Sequence, residues 1–238
     1  MNELNLSKRL KRVADFLPKD AVFADIGSDH AYLPCYAILH QKAVKAIAGE
    51  ITDGPLQSAK QQVHRLELDE QISVRKGNGL EVIEQGEVNA VTIAGMGGAL
   101  IANILKEGKE KLDGKERLIL QPNIHAYHIR LWLYQEGYEL LDEVILEEDG
   151  KIYEIIIAEK GNKDQAYQHM SFEAGLLVGP FLAKEQSDVF RRKWVQELQH
   201  MEKIEGQIAQ AAPTEENKER QIELQKKIML LKEVLTVG

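Results

Sequence analysis

Apolar and polar positions along the chain fall into two regimes, one before and one after Gly137. Over Asn5–Leu17, the residues Leu6, Leu10, Val13, Ala14 and Leu17 share one side at about 100° per residue, which predicts an amphipathic helix. Lys8, Arg9, Lys11 and Arg12 fall on its other side, and Pro18-Lys19-Asp20 ends it. Short apolar runs at Ala21–Ile26, Val44–Gly49, Ile72–Lys76, Val88–Ile93 and Arg117–Leu120 predict five strands. Between them Tyr32–His40, Pro55–Leu66, Gly98–Lys111 and Ala126–Gln135 have helical spacing. Strands alternating with helices predict an α/β fold with a parallel sheet covered on both faces.

Beyond Gly137, Tyr138–Glu147 and Lys151–Ala158 are strand-like on either side of Asp149-Gly150, a hairpin turn signal. Five parallel strands plus an antiparallel closing hairpin suit a Rossmann-like class I methyltransferase sheet better than a dehydrogenase sheet. After a polar break at Lys160–Lys163, a long helix is expected from Pro180 to Ala212, its stripe formed by Phe190, Trp194, Leu198, Met201, Ile204 and Ile208. Pro213 stops it, and Thr214 is placed to cap a second helix that runs to Val237 with Ile222, Ile228, Leu231 and Leu235 on one side. Two long helices with a short connection predict an antiparallel, coiled-coil-like hairpin. The expected division is 1–160 for the sheet domain and 161–238 for the helical one.

With 44% hydrophobic and 29% charged residues, the chain can bury a core. A single cysteine, Cys35, rules out an internal disulfide and a Cys-cluster zinc site. No run reaches the roughly 18–20 apolar residues of a membrane span, and Met1–Leu17 lacks a signal peptide's apolar block. A soluble cytoplasmic protein is expected, and a monomer if the tail stripe closes on itself. The net charge is −8, and neither half is basic: residues 1–160 hold 19 basic and 26 acidic side chains, the remainder 11 and 12. Nucleic acid would have to meet local patches. Lys8, Arg9, Lys11 and Arg12 are the first candidates. Arg191-Arg192-Lys193 come second, and there a solvated helix face is the ordinary reading.

The strand ends carry the candidate chemistry, because ligands bind at the carboxyl edge of an open parallel sheet. The first strand ends in Asp25-Ile26-Gly27-Ser28-Asp29-His30. Gly27 lets backbone approach a ligand, while Asp25 either anchors the turn or receives a ligand's ammonium group. The next glycine after Gly27 is Gly49, so a dinucleotide fingerprint is absent. Glu50 ends the second strand, where a carboxylate can accept both hydroxyls of a ribose or simply face solvent. Asn78-Gly79 follows the third strand, as an adenine-edge contact or an ordinary turn. Gly95-Met96-Gly97-Gly98 follows the fourth, leaving backbone open to a ligand or serving tight strand–helix packing. Gln121-Pro122-Asn123 follows the fifth, with amides to read a base edge; Asn123 can instead cap the next helix. His125 and His128 have helical spacing but no acidic partner, so no metal is expected.

These residues are recognisable together. Asp25-Ile26-Gly27-Ser28-Asp29-His30-Ala31-Tyr32-Leu33-Pro34, Gly95-Met96-Gly97-Gly98 and Gln121-Pro122-Asn123 resemble the bacterial tRNA (adenine-22-N1)-methyltransferase family. Leu131-Trp132-Leu133, Gly137-Tyr138 and Glu148–Glu154 also look like it. The resemblance implies S-adenosyl-L-methionine as methyl donor and tRNA as substrate. It implies that Asp25, Gly27, Ser28, Asp29 and His30 hold the methionine part, Glu50 the ribose, and Asn78 with Gly79 the adenine. Gly95, Met96 and Gly97 would flank the sulfonium. Asp29 and Ala31 stand where methyltransferases generally have glycine, which leaves the role of Asp29 open between cofactor binding and stabilising the cationic product base. Adenine N1 lies on the Watson–Crick edge, so the base must be unpaired to react. Tyr32 can stack on it or be a core aromatic, and Gln121 or Asn123 can read it. The competing readings are the same donor chemistry on another RNA or a small molecule, and a non-catalytic tRNA-binding module.

Overall fold

The computed structural model describes residues 6–210 and 214–236. The expected helix start at Asn5, the stop at Ala212-Pro213 and the end at Val237 lie outside them. α1 (Lys8–Asp15) is shorter than its apolar stripe: Ser7 Oγ accepts from the Leu10 amide at 3.4 Å and caps it, and Leu17 lies past its end. Its buried side, Leu10, Val13 and Ala14, joins a core cluster with Phe23, Ala37, Ile119 and Ile155.

β1 (Ala21–Ile26), β2 (Ala43–Glu50), β3 (Ile72–Lys76), β4 (Ala90–Gly97) and β5 (Arg117–Ile124) pair in parallel. β6 (Tyr138–Glu148) and β7 (Lys151–Lys160) form the antiparallel hairpin. Asp149 (φ 51°) and Gly150 (φ 71°) make the tight turn between them. β7 docks on β5, giving a seven-stranded sheet in the order β3-β2-β1-β4-β5-β7-β6. α2 (Tyr32–Leu39), α3 (Asp53–Arg65), α4 (Gly98–Glu107) and α5 (Tyr127–Gln135) follow β1, β2, β4 and β5. The central strands are near-continuous apolar runs because helices cover both faces. Ile93, Leu118, Ile119 and Leu120 are fully buried.

Two strands outrun their expected ends by four residues each. β4 continues through Gly95 and Met96 to Gly97, and β5 through Gln121, Pro122 and Asn123 to Ile124. Register shifts around Met96 pass over Gly95, while Met96 pairs with Pro122 and Gly97 with Ile124. Asn123 therefore lies in a strand and does not cap α5, whose preceding residue is Ala126.

Contacts divide the chain into two units, Met1–Ala166 and Tyr167–Gly238. In the second, the single long helix expected from Pro180 is broken. α6 (Phe172–Val178), unforeseen, precedes α7 (Pro180–Glu185). Gln186 turns left-handed (φ 53°), and Ser187 Oγ accepts from the Phe190 amide at 3.4 Å to start α8 (Asp188–Ala209). Thr214 caps α9 (Glu215–Thr236), its Oγ1 accepting from the Asn217 amide at 3.2 Å. α8 and α9 pack antiparallel, with Lys232 on Glu202 at 2.7 Å and Gln225 on Glu205 at 2.7 Å. Ile228, Leu231 and Val234 form the buried stripe of α9. Ile222, expected on it, is 67% exposed, because the three- and four-residue spacing back from Ile228 passes through Leu224 and Gln221 instead.

Candidate active site

Parallel pairing sets the ends of β1 to β5 side by side. Asp25 lies between Ala48 of β2 and Thr92 of β4, and Ala94 lies opposite Gln121. Residues scattered over a hundred positions thus share one edge.

At the end of β1, Asp25 is buried, and both its oxygens are engaged. Ser28 Oγ donates to Oδ2 at 2.6 Å and Thr92 Oγ1 to Oδ1 at 2.7 Å. Burial pushes the Asp25 carboxyl up to about 6, against the pull of those two hydroxyls. Gly27 has φ 70°, which favours glycine, and a Cβ there would displace the flexible tip of Met96. Asp29, His30 and Ala31 follow with φ of 41°, 63° and 55°, a left-handed run unusual for residues with a Cβ. It folds the chain back so that the Asp29 amide donates to Glu50 Oε1 at 2.5 Å. Glu50 is buried at the end of β2; burial raises its pKa, and the Asp29 amide opposes the shift. The Asp29 side chain is 73% exposed at the rim, 3.5 Å from His30 Nε2. Tyr32 is half-buried: it stacks on His30 at 5.2 Å and packs on the core.

Next to β3, Asn78 is exposed, and its backbone N–H donates to Glu81 Oε2 at 2.8 Å. Gly79 has φ 56°, and a Cβ there would press on Ile104 at 2.9 Å. Between β4 and β5, Gln121 Oε1 accepts from the Gly95 amide at 3.1 Å and from Arg9 Nη1 at 2.6 Å. Gln121 Nε2 donates to the Pro122 carbonyl at 2.9 Å and to Asn123 Oδ1 at 3.3 Å. Gln121 is fully buried with both amide ends engaged, so it does not offer a free edge to a base. Asn123 is exposed and donates to the Gly95 carbonyl at 2.7 Å. Arg9 likewise leaves the solvated face expected of it: its guanidinium turns inward towards Gln121 and lies 5.4 Å from the Tyr153 ring centre. Lys8 and Arg12 are exposed, and Lys11 is half-buried. In the second unit Arg192 is exposed, while Lys193 lies over the Trp194 ring at 4.7 Å.

Three features escaped the sequence reading. Ile124 (61% exposed) and Tyr127 (39%) stand in the open where β5 gives way to α5. That connection abuts the start of α4 so closely that a Cβ on Gly98 would strike the His125 carbonyl. Second, Arg130 of α5 is fully buried between Glu143 of β6 (2.6 Å) and Glu154 of β7 (2.5 Å). Burial opposes the charge on Arg130, but the two carboxylates outweigh it and raise its pKa. Third, Glu148 at the end of β6 accepts from the amides of Lys8 and Arg9 and so caps α1 from across the sheet. His125 and His128 meet edge to face at 6.2 Å. Among the described residues no group of three or more His, Cys, Asp or Glu is placed to hold a metal, and no helix is long and apolar enough to cross a membrane. A cleft of about 430 Å³ on α3 and β3, lined by Lys60, Val63, His64, Asp69, Ile72 and Val74, contains none of the strand-end residues.

The chain matches the family model described as TrmK, tRNA (adenine(22)-N(1))-methyltransferase, over residues 23–233. It is 66% identical over 238 residues, all of both chains, to the tRNA (adenine(22)-N(1))-methyltransferase of Bacillus subtilis strain 168. The crystal structure of the B. subtilis M1A22 tRNA methyltransferase TrmK superposes with a TM-score of 0.96 at 65% identity, covering 98% of this chain and 99% of that one. M. capricolum TrmK in complex with S-adenosyl-homocysteine, its natural cofactor product, gives 0.82 at 29% identity over 98% of each chain.

Proposed function

The chain belongs to the tRNA (adenine(22)-N(1))-methyltransferase family, and from that premise we propose how its own residues carry the reaction. It is an S-adenosyl-L-methionine-dependent enzyme that methylates N1 of the adenine at position 22 of tRNA. The observation that carries the assignment of its site is the meeting of two buried acids, Asp25 and Glu50, with the glycine backbone of Gly27 and Gly95–Gly97 at adjacent strand ends. These groups fit the donor. Two buried carboxylates with raised pKa values call for a cation and for hydroxyl donors, and S-adenosyl-L-methionine carries an ammonium group and a ribose.

When bound, the donor supplies a methyl group on a sulfonium, which a nitrogen lone pair displaces as a neutral thioether. In our reading Asp25 faces the ammonium end, with Gly27, Ser28, Asp29 and His30 shaping the methionine cradle. Glu50, aimed by the Asp29 amide, takes the ribose hydroxyls. Asn78 and Gly79 border the adenine, and Gly95, Met96 and Gly97 line the transfer position. Adenine N1 has its own lone pair and needs no base to remove a proton first, so catalysis rests on alignment. Tyr32 and Asn123 flank the acceptor base. The exposed Asp29 carboxylate tempers the positive charge of the methylated ring. Lys8 and Arg12 meet RNA phosphates, with Lys11 beside them. The catalytic domain falls in the unit Met1–Ala166 and the helical domain in Tyr167–Gly238. The enzyme works as a cytoplasmic monomer, which the closing of the buried α9 stripe on its own unit supports.

Glu50→Gln tests the cradle. It keeps the shape of the side chain but loses charge and one pair of acceptor sites, so donor affinity measured by calorimetry should fall about 10- to 100-fold, the loss expected for charged hydrogen bonds. Unchanged affinity would remove Glu50 from the donor site.

A further inference from the structure

We propose that Arg9 is a positioning residue for methyl transfer, acting through Gln121 to fix the Gly95-Met96-Gly97 turn against which donor and acceptor align. The inference rests on the reading that this turn borders the transfer position.

Arg9 is the second residue of α1, and it is held along its length. Glu148 of β6 accepts from the amides of Lys8 at 2.5 Å and Arg9 at 3.3 Å, which pins the start of the helix to the hairpin. The Tyr153 ring of β7 lies beside the guanidinium at 5.4 Å. From that seat Nη1 reaches Gln121 Oε1 at 2.6 Å.

Gln121 is fully buried, and four partners agree on which way its amide faces. Oε1 receives Arg9 and the Gly95 amide; Nε2 gives to Pro122 and Asn123. A guanidinium has donors and no acceptor, so a reversed amide would set Nε2 against two donors. Arg9 therefore locks the oxygen towards Gly95. Asn123 holds the Gly95 carbonyl at 2.7 Å, so the peptide groups on both sides of Gly95 are fixed. That matters because Gly95 has φ 80° and, being glycine, gains no direction from its own side chain. Met96 comes next, and its Cε fills the space above Gly27. A line of contacts thus runs from α1 across the ends of β5, β4 and β1. In-line displacement is sensitive to such geometry: a 1 Å misplacement can cost about 100-fold in rate.

The test compares Arg9→Met, which keeps the apolar stem and removes the donors, with Arg9→Lys. Single-turnover rates at saturating tRNA and donor are measured beside KM for tRNA, calorimetric donor affinity, Tm and glycine-selective ¹⁵N spectra. Arg9→Met should lower the rate about 10- to 100-fold, with KM, donor affinity and Tm near wild type. The Gly95 amide resonance should move while those of Gly137 and Gly150 stay. Arg9→Lys, still a cationic donor but without the planar fork, should recover part of the rate. An unchanged rate would overturn the proposal. So would a raised KM alone with the Gly95 resonance in place, since Arg9 would then be an RNA contact. Met96→Ala separates the underlying reading: if it alters neither rate nor donor affinity, the turn does not border the transfer position and both ideas fall. If it alters them while Arg9→Met does not, only the role of Arg9 is lost.

Discussion

Asp25 gives the site its pH signature. Its carboxyl is raised from an ordinary 3.8 to about 6, so the folded chain holds the proton more tightly than the unfolded one. The stability it contributes is full below about pH 4 and is lost as pH rises through about 6. A bound ammonium group favours the ionised form and reverses the balance. Donor affinity should therefore climb from pH 5 to 7, by up to about tenfold per unit below 6, and then level off. Calorimetry across that range should also show a flatter profile for Asp25→Asn. A flat profile in the wild type would place the ammonium elsewhere. Asp25 and Glu50 were legible in the sequence because an acid closing an apolar strand is exposed to the ligand edge or buried at a cost, and both cases mark it. Arg9 was not. Helical periodicity assigns a side of α1, but it cannot show that a buried amide 112 residues away waits for a donor. Gln121 was misread for the same reason: as a strand-end amide it looked available, and its partners come from three elements.

At the scale of elements, the parallel strands were legible because burial on both faces leaves an uninterrupted apolar run. Their ends were less so. Glycine and proline normally break a strand, yet β4 and β5 absorb them through shifted pairing at Met96 and Pro122. The break before α8 had a signal, Ser187 as a cap, but the apolar stripe running past it concealed the interruption. The Arg130 triad left no trace, since its charges sit on three elements and alternate with apolar neighbours as surface residues do. Arg130→Met would strand two buried carboxylates, at a cost of about 3–5 kcal/mol. Tm should fall by several degrees or more at pH 8. The deficit should shrink at lower pH, where burial without a neighbouring cation favours protonated carboxyls in the variant. A pH-independent deficit would mean that lost packing, not stranded charge, sets the cost. The connection from β5 to α5 yields a second expectation. Ile124 and Tyr127 stand open beside the transfer turn, where unstacked nucleotides flanking the acceptor would find a face. Tyr127→Ala should raise KM for tRNA about five- to 100-fold, with donor affinity unchanged, and Tyr127→Phe should behave as wild type. Equal harm from both would point to the hydroxyl rather than the ring.

Across the whole molecule the net charge of −8 argues against a broad basic groove. The proposed grip on RNA is by a few placed cations, Lys8 and Arg12 foremost, with recognition of a base drawn from its stack. That combination explains why composition alone was silent about the substrate, which entered only through the family resemblance that the strand-end motifs carry. The identity of the accepting base is then what most directly defines the activity. The direct measurement is transfer of labelled methyl from S-adenosyl-L-methionine to two unmodified tRNA transcripts that differ at position 22, one with adenine and one with guanine. Label is expected on the adenine transcript and none on the other. Equal label on both, or none on either from protein that still binds the donor, would contradict that activity.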